Sequence, residues 1–201
     1  MYELGGSSGV EEVSPGTNLL VSGPPLSGKA ALGYELLDRG ARAGEGSIVV
    51  TNTDSAERVR ADAPSLFEHD TPVGIVDCVT KHQGYGTIAD TDLVLYAASP
   101  DDMTGIGIKA SRLLETFYRD RGVRRTRVLV RSVSTLLQYA DVQTVFRFLH
   151  VFTSRLESVD ALGLFVVEAG AHDDRTMNTI SQLFDGVLQL DGGGSVTARL
   201  R

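Results

Sequence analysis

One short segment restricts the fold of this chain more than any other. An apolar run at residues 17–22 leads into the pattern G-x-x-x-x-G-K, which is followed by a stretch with helical apolar spacing. This order of strand, glycine-containing turn and helix is the context of a phosphate-binding loop. The glycines allow a tight turn with inward N–H groups, the helix N-terminus adds positive charge, and the lysine reaches the outer phosphates. The candidate binding residues are Gly23, Pro24, Pro25, Leu26, Ser27, Gly28, Lys29 and Ala30.

The motif lacks one of its usual side chains. The position after the lysine normally holds Ser or Thr, whose hydroxyl is a ligand of Mg²⁺, and here it holds Ala30. A methyl group cannot coordinate a metal ion. One of the protein ligands that a metal would need is therefore missing from the predicted loop.

Apolar runs rich in Val, Ile and Leu alternate with longer amphipathic stretches along the rest of the chain. This alternation predicts an α/β fold of three layers, with a mostly parallel central sheet. The predicted strands are 17–22, 47–51, 73–77, 93–97, 127–132, 163–168 and 187–191, and the predicted helices are 29–43, 55–67, 104–120, 142–159 and 174–184. Three consecutive glycines at 192–194 predict a C-terminal hairpin.

The length of 201 residues suits one domain, which we expect at residues 17–201. Residues 1–16 are acidic and rich in glycine, so we expect a flexible N-terminal arm. A lone cysteine, Cys78, excludes an internal disulfide and a Cys-rich zinc site. No apolar run approaches the roughly 20 residues that span a bilayer, which predicts a cytoplasmic protein with no membrane partner.

The charged residues exclude a further class of protein. A formal net charge of −7 argues against a general nucleic-acid-binding protein, so nucleic acid is not an expected partner. Only three of the 19 basic residues are Lys, and most of the 26 acidic residues are Asp. This composition favours a halophile, because dense carboxylates keep a surface hydrated in a high-salt cytoplasm. A GC-rich genome explains the excess of Arg over Lys equally well.

Together with the phosphate loop, three later segments resemble the RecA superfamily and, within it, the KaiC-like ATPases of archaea, including short haloarchaeal forms. After its second strand that family has two catalytic acids followed by Ser/Thr-Pro-Glu, and this chain has Thr53-Asp54-Ser-Ala-Glu57 there. The family's metal-binding strand ends in Asp-Ser, where this chain has Arg131-Ser132. The segment Leu183–Leu190, with Asp-Gly leading into a late strand, fits the family's closing pattern.

The resemblance implies a RecA/KaiC-like P-loop fold with ATP as its cofactor and Asp54 as the candidate catalytic residue. Arg131 stands where the family has the metal-binding Asp, so with Ala30 both protein ligands of Mg²⁺ are replaced. Because the metal neutralises charge in the transition state, we expect weak or absent hydrolysis. The favoured function is a regulatory or scaffolding pseudo-ATPase with retained or vestigial nucleotide binding, acting with a protein partner or as a homo-oligomer.

Two interpretations of Arg131 remain open. Its guanidinium could hold phosphate oxygens in place of the metal, which would give metal-free nucleotide binding. Alternatively, it could pair with Asp54 across adjacent strand ends and fill the vacated site, which would leave no room for nucleotide.

Two other functions also remain open. A working ATPase would need Asp54, Asp77 or Glu168 to supply the metal site, and the last two, at the ends of apolar runs, could equally organise loops. A DNA-acting recombinase paralogue is the weaker alternative, because no basic DNA-binding loop is visible. Ser132 and Ser134 have no histidine in a recognisable nucleophile setting, so we interpret them as strand-end hydroxyls.

Three surface features are candidates for binding. Arg119–Arg127 is the one basic cluster and the best sequence candidate for a subunit or partner contact. Phe148 and Val151 lie off the apolar stripe of their predicted helix, which leaves them free for a protein contact. The loop at residues 80–92, with glycines on both sides of Tyr85, is either a binding loop or an ordinary surface loop.

Overall fold

Short runs of Val, Ile and Leu form strands because their side chains can be buried on both faces of a sheet. The computed structural model describes residues 1–84 and 88–201. Its strands are β1 (Tyr2–Glu3), β2 (Glu12–Val13), β3 (Asn18–Gly23), β4 (Gly46–Thr51), β5 (Val73–Asp77), β6 (Val94–Tyr96), β7 (Thr126–Val130), β8 (Leu162–Glu168), β9 (Gly186–Leu190) and β10 (Val196–Leu200). Its α-helices are α1 (Lys29–Arg42), α2 (Ala56–Asp62), α3 (Met103–Arg119), α4 (Val133–Tyr139), α5 (Val142–Glu157) and α6 (Asp174–Ser181).

Eight of these strands form the central sheet in the order β10-β9-β3-β8-β7-β4-β5-β6. Neighbouring strands are parallel except β9 and β10, which form an antiparallel hairpin. The predicted mostly parallel sheet and C-terminal hairpin are therefore confirmed. The strand order places β3, which leads into the phosphate loop, between β8 and β9, and places β7 between β8 and β4.

Helices cover both faces of the sheet, which makes the three predicted layers. On one face, α1 and α2 bury Leu32, Leu36 and Val59 against the sheet. On the other face, α3 to α6 pack through residues such as Leu113 and Leu149. The carboxyl ends of the parallel strands therefore meet at one edge of the sheet, where loops from several strands can form a single site.

Two predicted elements differ from those in the structure. The predicted helix at 55–67 ends at Asp62 and is followed by a separate 3-10 turn, Pro64–Phe67. Proline disfavours helical geometry in the residue before it, and Ala63 indeed has an extended φ of −133°. The short helix α4 was not predicted. It follows β7 at once, and the Ser132 hydroxyl caps it by accepting a bond from Thr135 N (2.9 Å).

The expected flexible arm at residues 1–16 is instead packed against the domain. β1 and β2 pair in an antiparallel two-stranded sheet, and the side chains of Tyr2 and Leu4 are fully buried. The Tyr2 hydroxyl donates a 2.7 Å hydrogen bond to the Asp160 carbonyl. A few buried apolar side chains are sufficient to anchor this segment on the domain. Its composition, which is acidic and rich in glycine, did not indicate them.

Within residues 1–84 and 88–201, the longest helices are too short or too polar to cross a bilayer. The predicted loop at 80–92 lies only partly in this range. Tyr85 is outside the described residues, so the choice between a binding loop and an ordinary surface loop stays untested.

Candidate phosphate-loop site

The turn between β3 and α1 has the backbone of a tight phosphate loop. Gly28 takes a left-handed conformation (φ 86°) immediately before the first residue of α1, and Leu26 also has a positive φ of 60°. At Gly23, an added Cβ would lie 2.6 Å from the Ser27 hydroxyl oxygen and 3.0 Å from Cβ of Leu190. The turn therefore requires glycine at Gly23 and Gly28, for close approach at the first and for positive φ at the second.

Two side chains of the loop face inward. Ser27 is buried, and within the described part of the chain its hydroxyl oxygen has no hydrogen-bond partner. Lys29 is also buried and its Nζ donates to the Pro24 carbonyl oxygen, so the ammonium is folded onto its own loop. Burial lowers the pKa of Lys29, and the nearby carboxylate of Glu168 opposes that shift.

Above the loop lies a hollow of about 440 Å³. Its walls come from the loop, from the start of α1 and from the carboxyl ends of β7 and β8, and they are Leu26, Ser27, Gly28, Lys29, Ala30, Ala31, Thr53, Arg131, Ser132, Val166 and Glu168. The fold thus brings Leu26–Ala30 of the loop together with Arg131 and Glu168, which both lie more than one hundred residues further along the sequence.

Arg131 is held by three side chains on one side of this hollow. Its Nη2 lies 2.8 Å from Oδ2 of Asp54, its Nη1 donates to the Tyr34 hydroxyl (2.6 Å), and Nη1 is also 4.0 Å from Asp62. Only 13% of the Arg131 side chain is exposed. Of the two interpretations of Arg131, the geometry is that of the pairing with Asp54.

The neighbouring strands explain why these groups meet. β4 and β7 are adjacent and parallel, so the loop that carries Asp54 and the residue after β7 lie at the same edge of the sheet. Thr51 at the end of β4 anchors the loop through bonds with the backbone of Asp54 (2.6 and 3.2 Å). The side-chain amide of Asn52 then donates to the Ser132 carbonyl (2.9 Å), which ties the two loops together.

Tyr34 is a member of this cluster that sequence reasoning missed. It lies on α1, is 7% exposed, and its ring centroid is 5.4 Å from the Arg131 guanidinium carbon. Burial raises the pKa of its phenol, while the charge of Arg131 opposes the shift. The hydroxyl therefore stays protonated and accepts the arginine bond. A tyrosine on the apolar face of a helix that follows a phosphate loop was the available signal.

The residues present do not fit a divalent cation. Ala30 offers a methyl group where a hydroxyl ligand would be needed, and Arg131 brings a fixed positive charge that repels a metal ion. Among the described residues, no group of three or more His, Cys, Asp and Glu side chains is arranged to hold a metal. The loop and the inward Ser27 hydroxyl, in contrast, have the shape and polarity for an anionic group.

Asp77 takes the role of a loop-organising residue. Its carboxylate is fully buried and accepts bonds from the backbone N–H groups of Ala56 (2.7 Å), Val79 (2.9 Å) and Thr80 (2.9 Å) and from the Thr80 hydroxyl (2.6 Å). Both oxygens are thus occupied within the protein. Asp77 does not line the hollow, in contrast to Glu168.

The prediction that Ser134 lacks a histidine partner is wrong. Its hydroxyl oxygen lies 2.9 Å from Nε2 of His172 and also accepts a bond from Glu168 N (2.9 Å). Ser134 is a buried residue of α4 and His172 lies in the loop after β8, so the contact joins this helix to that loop beside the hollow. The sequence separation of 38 between the partners gave no local spacing from which to predict the contact. Neither Ser132 nor Ser134 belongs to a strand end, because β7 already ends at Val130.

The mostly parallel sheet and the glycine turn between β3 and α1 give this chain a RecA/KaiC-like α/β fold. The crystal structure of the KaiC-like protein PH0186 from the hyperthermophilic archaeon Pyrococcus horikoshii OT3 is similar, with a TM-score of 0.61 and 18% sequence identity. The likeness covers 88% of this chain and 72% of that chain, and at this identity it concerns the fold.

Residues 16–190 match a protein family described as a family of unknown function, DUF7504, and the chain belongs to that family. No curated protein matches the sequence.

Proposed function

We propose that this protein is a regulatory or scaffolding pseudo-ATPase with weak or absent ATP hydrolysis and retained or vestigial nucleotide binding. The ion pair between Arg131 and Asp54 (2.8 Å) is the observation that carries the proposal. Arg131 places a positive charge at the strand end where the resemblance expects a metal-binding Asp. The ion pair also engages the carboxylate of Asp54, which was the candidate catalytic residue. Ala30 removes the other metal ligand, so the charge neutralisation on which phosphoryl transfer depends is lacking.

The two cations of the site already have partners, which supports weak nucleotide binding. Lys29 donates to the Pro24 carbonyl, and Arg131 uses both terminal nitrogens on Tyr34 and Asp54. These bonds would have to break before Lys29 or Arg131 could donate to the oxygens of a phosphate group. The hollow of about 440 Å³ leaves space for phosphate groups, so affinity depends on that exchange.

A working ATPase is the second candidate, and Glu168 is the observation that favours it. This carboxylate lines the hollow beside Lys29. Asp54 is committed to Arg131, and Asp77 is committed to backbone N–H groups. An active enzyme would therefore depend on the carboxylate of Glu168 for both metal binding and water activation.

Steady-state ATP turnover with Mg²⁺ separates the two candidates. We expect the wild-type chain, Lys29→Ala and the matched control Lys81→Ala, which changes an exposed lysine, to give the same background rate. Mg²⁺-dependent turnover that is lost in Lys29→Ala and kept in Lys81→Ala would refute the pseudo-ATPase. Calorimetry with ATP should show no gain in affinity on adding Mg²⁺, because Arg131 repels the ion.

A restored site gives a sharper version of this test. The double variant Ala30→Thr/Arg131→Asp returns a hydroxyl and a carboxylate to the positions where the resemblance places metal ligands. We expect ATP binding by this variant to become Mg²⁺-dependent, with at least about a tenfold change in affinity. Equal affinity with and without Mg²⁺ in the double variant would show that other features of the site exclude the metal.

We further propose a cytoplasmic location, a halophilic archaeal source and no DNA-acting role. The net charge of −7 and the excess of Asp over Lys support a protein that works in high salt without nucleic acid. We expect no binding in a DNA titration across salt concentrations. Affinity that falls steeply with added salt would instead indicate phosphate contacts and favour the recombinase alternative.

A further inference from the structure

A long groove runs between α3 and α5, on the face of the sheet opposite α1, and it plays no part in the phosphate-loop site. It encloses about 870 Å³. Its walls are Met103, Thr104, Gly107, Ile108, Ser111, Arg112, Glu115, Thr144, Arg147, Phe148, Val151, Phe152 and Arg155. Each of the two helices has about four turns, so the groove matches a partner helix of similar length.

The floor of the groove is apolar and exposed. Ile108 is 65% exposed and Val151 is 68% exposed, and Phe148 lies beside the buried Phe152, with ring centroids 5.4 Å apart. The stripe that packs α5 on the sheet uses Val145, Leu149 and Phe152 instead. Ile108 and Val151 are therefore surplus to the core of the domain, whereas Phe148 is partly buried and packs against it. Exposed apolar residues grouped in this way mark a contact surface.

Gly107 has no explanation within the domain itself. It lies in the interior of α3, where glycine weakens a helix relative to alanine. A Cβ added at this position would meet no described atom within 4 Å, so no close packing inside the chain requires glycine. With Ser111 one turn later, Gly107 lowers the wall of α3 and allows another backbone to come close.

The rim of the groove is positive in a chain of negative net charge. Arg112, Arg147 and Arg155 line it, and Glu115 is the one acid among its lining residues. That carboxylate forms a 2.5 Å ion pair with Arg119 on the same helix. Arg112 already lies 3.8 Å from the carboxylate of Asp90. Arg147 and Arg155 are therefore the arginines that call for negative charge on whatever covers the apolar floor.

We infer that the α3–α5 groove binds an acidic amphipathic helix of another protein. Apolar side chains at i, i+3, i+4 and i+7 would fill the floor, and Asp or Glu on the flanks of that helix would meet the arginines. This inference does not depend on whether the phosphate-loop site binds or hydrolyses ATP.

A second copy of this chain suits the groove less well. If two copies met groove to groove across a two-fold axis, the arginine-bearing rims of both subunits would be brought together. Like charges brought together at an interface oppose association. The charges of the rim thus favour a partner of opposite charge.

The test uses a phage library of helical peptides of about four turns, selected on the full chain and counter-selected on the Gly107→Gln variant. We expect enriched peptides with a net negative charge and apolar residues at helical spacing. Basic or uncharged enriched peptides, or no enrichment over the counter-selection, would overturn the inference.

A synthetic copy of the most enriched peptide then locates the site. We expect at least about tenfold weaker binding to Gly107→Gln and to the double variant Arg147→Glu/Arg155→Glu. The matched control Arg199→Glu, which reverses an exposed arginine on β10, should bind within about twofold of wild type. Equal binding to all four proteins would overturn the inference. So would sedimentation that shows a wild-type dimer and a Gly107→Gln monomer, because that result assigns the groove to a second copy.

Discussion

Arg127 lies in β7, and Arg131 follows the end of that strand four residues later. The two arginines differ in burial and in the end of the strand at which they lie. Arg127 is fully buried at the start of the strand, where it pairs with Glu45 and donates to the carbonyls of Leu36 (2.7 Å) and Glu3 (2.9 Å). Arg131 is partly exposed at the other end, beside the phosphate loop. The carboxyl end of a parallel strand opens into the crevice where ligands bind, whereas the amino end is free to serve packing. Position along one strand thus separates a structural arginine from a site arginine.

The largest expected effect is on the structural arginine. Arg127→Met should lower the free energy of unfolding by about 3 to 5 kcal/mol, because it leaves Glu45 charged, buried and without its closest partner. Urea denaturation followed by circular dichroism measures the change. The control Arg125→Met removes an arginine that is 52% exposed and should cost less than about 1 kcal/mol. Equal losses of unfolding free energy in the two variants would show that Arg127 contributes no more to stability than the exposed Arg125.

The next effect concerns Tyr2, which packs under Arg127. Burial raises the pKa of the Tyr2 phenol from 10.0 to about 12. The folded state therefore holds the proton more tightly than the unfolded chain, so this stability is complete below pH 10 and is lost as the pH rises towards 12. The loss should reach roughly 2 to 3 kcal/mol.

Stability measured between pH 9 and 12 tests this with two variants. Tyr2→Phe should show a shallower alkaline decline than wild type, because it lacks the titrating group. The control Tyr118→Phe changes a tyrosine that is 56% exposed and should keep the wild-type slope. A parallel decline in wild type and Tyr2→Phe would contradict the assignment.

A smaller effect is expected at the site arginine. Arg131→Met should lower the free energy of unfolding by about 1 kcal/mol or less, since its partner Asp54 is 33% exposed and remains solvated. A double-mutant cycle with Asp54→Asn gives the coupling energy of the pair. A loss as large as that of Arg127→Met would show that Arg131 is also a structural residue, and the contrast between the two ends of β7 would fail.

Salt should produce the smallest difference. The Debye length falls from about 10 Å at 0.1 M to 3 Å at 1 M, which screens partly exposed charges more than buried ones. The coupling between Arg131 and Asp54 should therefore fall by a few tenths of a kcal/mol, while that between Arg127 and Glu45 stays constant. Double-mutant cycles at both salt concentrations measure the two couplings. Equal salt dependence of both pairs would place them in similar environments.

Much of the fold was predictable because its signals are local. β5 was predicted with the bounds it has, Val73–Asp77, and the phosphate loop was predicted from one strand, one glycine pattern and one helix. α4 was missed because its seven residues are too few to show a clear helical period. The N-terminal strands were missed because two-residue elements carry no period at all.

The sequence predicted which residues belong to the candidate site better than it predicted which of them are in contact. One of the two interpretations of Arg131 paired it with Asp54 across adjacent strand ends, and these residues lie 2.8 Å apart. Tyr34 and the contact between Ser134 and His172 join segments far apart in the chain, so no spacing indicated them.

By itself, the sequence determined the alternation of strands and helices, the glycine turn before α1, and the presence of Ala30 and Arg131 where the resemblance places metal ligands, because each depends on residue type and short spacing. Only the tertiary structure decided that Arg131 is neutralised by Asp54, that Asp77 is enclosed by backbone N–H groups and that an apolar groove remains open between α3 and α5. These outcomes depend on which strands and helices become neighbours. That choice comes from packing the whole chain around one sheet, and no short segment contains it.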